Sequence, residues 1–482
     1  MNKTFKVARS LTRGTVVTSE KASSYQGKAV KTVIAAAVAS LVAGVAMAES
    51  TSLVYEGKDL VVKAGDDVAI TQNASKVTAN ATISIEGGKA TITNVNETPK
   101  TADGKQFAPS LNMTDGELVV KGANNFYNLS ITGGKVTIDG GDAEANWRDG
   151  VNIGGYAYVD ADGVRQTLVA GADTVVNVTN GMLWGGAQDA ASNIRKASKL
   201  LITDGAKVNL AGSSVNKSGI LYVGTEKVME LGNAANVSIA DKKFGAILAP
   251  TLNITGGTIN NAGTLNLAFS NGNGSNGHEK LEASLNSAQA SAMAVTITAG
   301  GINTTKTGTT NIKANVVVDG GSITNEGSTA VGGSLSVTTG SASNSGKLTA
   351  TTLSLGGADD ASASLTNTGV LTAGSVTIGK NATLTTAISI PAKKEGEANT
   401  LSYAVYDTTV NKGGTLEITQ LNSEAIDGIV IAGTQQAPTV KLTLNGGQVT
   451  HGGQVYQGNL KLGDADYAAS VTFGNGDYRG LP

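Results

Sequence analysis

The chain of 482 residues has no cysteine at all, and only two histidines, His278 and His451. A disulfide scaffold is therefore excluded. With 19 aromatic residues (two Trp, eleven Tyr, six Phe) and 15% charged residues, it also lacks the bulky core of an ordinary globular enzyme. The complete absence of thiols suits a protein that crosses a membrane into an oxidising compartment. Intrinsic disorder would need fewer Val, Ile and Leu and a larger charge than the formal −2. The longest apolar run, Thr32 to Val45, is too short for a comfortable membrane-spanning helix.

What the chain has instead is glycine, 63 of them, and repetition. Between Thr251 and Ile390 short apolar alternations recur, each broken by Asn-x-Gly: Asn261/Gly263, Asn325/Gly327, Asn344/Gly346 and Asn367/Gly369. The asparagines are 64, 19 and 23 residues apart, which reads as a unit of about 20 residues with the first gap holding three. Asn and Gly tolerate positive φ, so these four asparagines are expected to turn the chain between strands. Around them Leu252 and Ile254, Leu335 and Val337, Leu353 and Leu355, and Val376 and Ile378 alternate with Thr and Ser, the period of a half-buried strand. Such a unit cannot bury its apolar face alone and must stack on its neighbours. The expected fold class is all-β, a single-stranded parallel β-helix or β-solenoid with loop insertions.

Gly-Gly pairs beginning at Gly87, Gly133, Gly256, Gly300, Gly320, Gly332, Gly356, Gly413 and Gly446 mark further corners, so the solenoid is expected to begin near residue 50. Three divisions follow: 1–48 as an extended signal peptide, 49–390 as the solenoid with insertions near 140–199 and 270–294, and 391–482 as final rungs or a cap. The first insertion holds Trp147, Tyr156, Tyr158 and Trp184, which are the candidate ligand contacts, because rigid aromatics at loop tips suit sugar rings or protein partners. At the N-terminus seven cations precede the apolar run, and Ala46-Met47-Ala48 follows it as a cleavage signal ahead of Glu49. Cleavage there takes Lys plus Arg from 36 to 29 and Asp plus Glu from 38 to 37, a net −8. No basic patch remains, so nucleic acid is not an expected partner.

Met1-Asn2-Lys3, Phe5, Lys6-Val7 and Val16-Val17-Thr18-Ser19-Glu20 resemble the extended signal peptide region of type V secretion proteins, the autotransporters and related adhesins of Gram-negative bacteria. Ala8-Arg9-Ser10 departs from that pattern. The resemblance implies export through the inner membrane to the outer-membrane surface or the medium, and a passenger that is a right-handed parallel β-helix. It further implies a translocator barrel; no run of barrel-type strands is read before Pro482, so the expectation is a passenger truncated ahead of its barrel, one that is released, or one whose barrel is on another chain.

Chemistry is sparse. No Gly-x-Ser-x-Gly context, P-loop, EF-hand or calcium β-roll repeat occurs. Neither a cofactor nor a metal is expected. The enzymatic alternative is a polysaccharide lyase or glycosidase using Asp160, Asp162 and Asp173 with Arg148 or Arg165; a ligand-free spacer is the other. The favoured expectation is a non-enzymatic adhesin or aggregation factor. Its partners would be a surface glycan, a protein ligand or further copies of itself, bound through insertions and through ladders of Thr, Asn and Ser. About 430 residues would then make around 20 rungs, a rod on the order of 100 Å long.

Overall fold

The computed structural model describes residues 5–10, 14–19, 50–96, 98, 107–142, 151–155, 159–160, 163–164, 166–185, 199–223, 228–269, 293–356, 361–387, 403–420, 428–431, 440–445, 448–451, 454–455, 459–462 and 469–473. It forms two compact units, Met1–Ala46 and Met47–Pro482. In the first, Phe5–Ser10 pairs antiparallel with Gly14–Ser19. The second is all-β: among the described residues its one helical piece is the 3-10 turn Ala74–Lys76.

Its large sheet is built from parallel pairings, apart from Gln448–His451 against Gln454–Val455. These pairings make three ladders. The first begins with residues 51–55 on 67–72 and runs through 89–92, 117–120, 135–139, 175–179, 207–210, 236–239, 258–261, 301–304, 322–325, 341–344, 364–367, 383–386 and 415–418 to 448–450, sixteen segments in all. The second runs from 123–126 to 403–405. The third runs from 60–63 to 469–473. From residue 166 to 420 the chain visits third, first and second ladders in turn, so each circuit adds one strand to each; beyond that, 440–445 and 469–473 extend the third ladder and 448–450 the first, while Gly428–Ile431 pairs with Asn459–Leu462 in a separate two-stranded sheet.

Within the strands of the first and third ladders inward residues alternate with outward ones, as period two requires, whereas Asn152–Gly155 and Met182–Gly185 on the second ladder are buried on both faces. On the first ladder one inward column stacks Val136, Val176, Val208, Val237, Ile259, Ile302, Ile323, Ala342, Leu365, Leu384 and Leu416 in register. All are at most 3% exposed and belong to one continuous core. Each fully buried Val, Leu or Ile contributes about 1.5–3 kcal/mol, so small side chains suffice when every circuit repeats them.

The stretch 140–199 is not wholly an insertion. Asn152–Gly155, Gln166–Ala170, Val175–Thr179 and Met182–Gly185 all take places in the ladders. Likewise Tyr403–Asn411, Thr415–Gln420 and Val440–Asn445 continue the same parallel pairing. The gap of 64 residues between Asn261 and Asn325 spans two circuits and not three, because Asn261 stacks on Thr304 and Thr304 on Asn325. That circuit is lengthened by residues 270–292, which lie outside the described residues.

Candidate functional site: the columns of the first ladder

From residue 258 the outward side of the first ladder becomes uniform. One column stacks Thr258, Gly301, Ser322, Ser341, Ser364, Thr383 and Thr415; its neighbour stacks Asn260, Asn303, Thr324, Ser343, Thr366, Thr385 and Glu417. Glu417 is the first ionisable side chain in either. Upstream the same columns carry Lys135, Val175 and Lys207 beside Thr137, Asn177 and Asn209. Parallel strands repeat every 4.7–4.9 Å, so the hydroxyls and amides form a regular array. Some bond along the column: Asn303 Nδ2 donates to Asn260 Oδ1 at 3.0 Å, and upstream Asn209 Nδ2 donates to Asn177 Oδ1 at 2.8 Å. Ser, Thr and Asn each donate and accept, so from Thr258 to Thr385 the face offers many neutral hydrogen bonds and no acid or base.

The four turn asparagines lie on the opposite side of the same strands. Asn261, Asn325, Asn344 and Asn367 end their strands at 0–1% exposure, pointing into the core. Neither they nor the glycines two residues on have positive φ. The glycines are needed for close approach: a Cβ on Gly346 would stand 2.0 Å from the Gly327 carbonyl oxygen, and one on Gly369 2.1 Å from that of Gly346. Positive φ is used at the other corner, between third and first ladders, by Gly87, Gly300, Gly320, Gly356 and Gly413.

The buried amides form a relay. Asn325 Nδ2 donates to Asn344 Oδ1 at 2.6 Å, Asn344 Nδ2 to Asn367 Oδ1 at 2.7 Å, and Asn367 Nδ2 to Thr386 Oγ1 at 2.9 Å. Each amide's second proton closes the corner above it: Asn261 Nδ2 reaches the Thr309 carbonyl, Asn325 that of Lys347 and Asn344 that of Val370, at 2.8–3.0 Å. Between Asn261 and Asn325 hydroxyls carry the chain, with Asn261 donating to Thr310, Thr310 and Thr304 2.7 Å apart, and Thr329 bridging Thr304 to Asn325. Amphoteric side chains satisfy one another, so a polar column stays buried without a charge.

Trp184 does not stand at a loop tip. It lies within Met182–Gly185 at 5% exposure, packed with Met182, Ile220, Ala246, Leu248 and Ala268. Its ring lies over Gly154, where a Cβ would come within 1.9 Å of Cε2; the bare glycine makes room for it. Trp147, Tyr156, Tyr158, Ala46, Ala48 and Glu49 lie outside the described residues, as do Asp162, Arg148 and Arg165. Asp173 is exposed in the turn ahead of Val175–Thr179.

Comparison with protein-family models, with curated proteins and with solved structures finds no match. Among the described residues no group of three or more His, Cys, Asp or Glu could hold a metal ion. No described helix is long and apolar enough to cross a membrane.

Ladders of Thr, Asn and Ser are expected from the sequence, but not which residues form them. Their signal was every second residue before each corner, such as Ser322 and Thr324 ahead of Asn325, or Ser341 and Ser343 ahead of Asn344.

Proposed function

We propose that the second unit is a right-handed parallel β-helix exported as an autotransporter-like passenger, displayed on or released from the surface of a Gram-negative cell, and acting by adhesion. Three parallel ladders visited in a fixed order support the helix. Export rests on the N-terminal resemblance and on the cleavage signal at Ala46-Met47-Ala48.

The observation that carries the adhesive reading is the pair of outward columns from Thr258 and Asn260 to Thr383 and Thr385, which stay uncharged through six successive circuits. Each contact there is weak; repeated at one spacing they add as in multivalent binding. A neutral array suits a surface glycan, a protein face of the same polarity, or another copy, whose repeat is identical by construction. Nucleic acid is not a partner on this reading, and the outer membrane is reached only through a translocator.

The test is binding of the purified full chain to a glycan array and to bacterial and host cells, beside a Ser343→Asp/Thr366→Asp variant. Two carboxylates in the array should weaken binding roughly tenfold or more with unchanged circular dichroism. Equal binding by the variant, or none by the wild type, contradicts the reading.

A further inference from the structure

We draw no further inference here: the strongest candidate, the apolar outward face of the second ladder formed by Met182, Trp184, Ile220, Ala246, Leu248 and Ala268, is buried although it is separate from the main core, and nothing in the structure shows what covers it.

Discussion

The inward column that ends each first-ladder strand changes character part-way along. Ile70, Ile92, Val120, Ile138, Val178, Leu210 and Ile239 stack in register at 0–1% exposure, and the next members of the same column are Asn261, Thr304, Asn325, Asn344, Asn367 and Thr386, equally buried. All four asparagines stand at corners of two residues, although Val120, separated by two residues from Ala123–Phe126, shows that a short corner alone does not call for one. Ile239 is separated from the second ladder by residues 240–243, with Lys242 at a φ of 59°, and Leu210 by residues 211–218. Asn261, Asn325, Asn344 and Asn367 are separated from it by two residues only. Thr304, at a four-residue corner, has a hydroxyl instead of an amide. A two-residue corner brings the first carbonyl of the next circuit within reach of the asparagine, which satisfies it. Corners of four residues follow both aliphatic Ile239 and polar Thr304, and the eight-residue corner follows aliphatic Leu210.

That contrast predicts an asymmetry between exchanges. Leu210→Asn should be the most damaging, by about 4 kcal/mol, because it buries an amide among Val178, Ile239 and other aliphatic residues with no partner on the column. Thermal or denaturant unfolding of the full chain checks it. Asn344→Leu should cost about 3 kcal/mol, since Asn325 Nδ2, Asn367 Oδ1 and the Val370 carbonyl each lose a partner. Replacing Asn325, Asn344 and Asn367 together by leucine should cost clearly less than three times the single change, because the amide-to-amide bonds are removed from both ends. Additive costs would mean the relay is not a coupled network.

Much of this was legible in the sequence. The alternation of Leu252 and Ile254 or Val376 and Ile378 gave the strands, the Gly-Gly pairs at Gly300 and Gly320 gave corners, and the start near residue 50 matches parallel pairing from Thr51. The Asn-x-Gly corner was found, but its physics lies between circuits. Local sequence suggests positive φ, whereas the glycine is required by a carbonyl 19 or 23 residues away and the asparagine by its counterpart in the next circuit. Trp184 was misread for the same reason. Its aromatic side chain looked like a loop tip until Gly154, thirty residues earlier, was placed beneath it.

The smallest expected effect concerns the end of the polar region. Tyr403, 4% exposed, donates to or accepts from Thr408 at 2.8 Å, and burial pushes its hydroxyl well above the ordinary value of 10.0. Its folded form keeps the proton after the unfolded chain has lost it. Stability from this group is therefore full below pH about 10 and declines as pH rises further. Tyr403→Phe should lower stability at neutral pH by about 1 kcal/mol, for the lost hydrogen bond, and flatten the decline above pH about 10. Denaturation midpoints taken from pH 8 to pH 11 measure both.

The claim on which the comparison rests is that the asparagine side chains are hydrogen-bonded to one another inside the protein. Hydrogen exchange of the side-chain amide protons of Asn325, Asn344 and Asn367, followed by NMR on selectively asparagine-labelled full chain, tests it directly. The structure predicts protection as strong as that of the neighbouring strand backbone amides. Exchange at the rate of an exposed amide would contradict it.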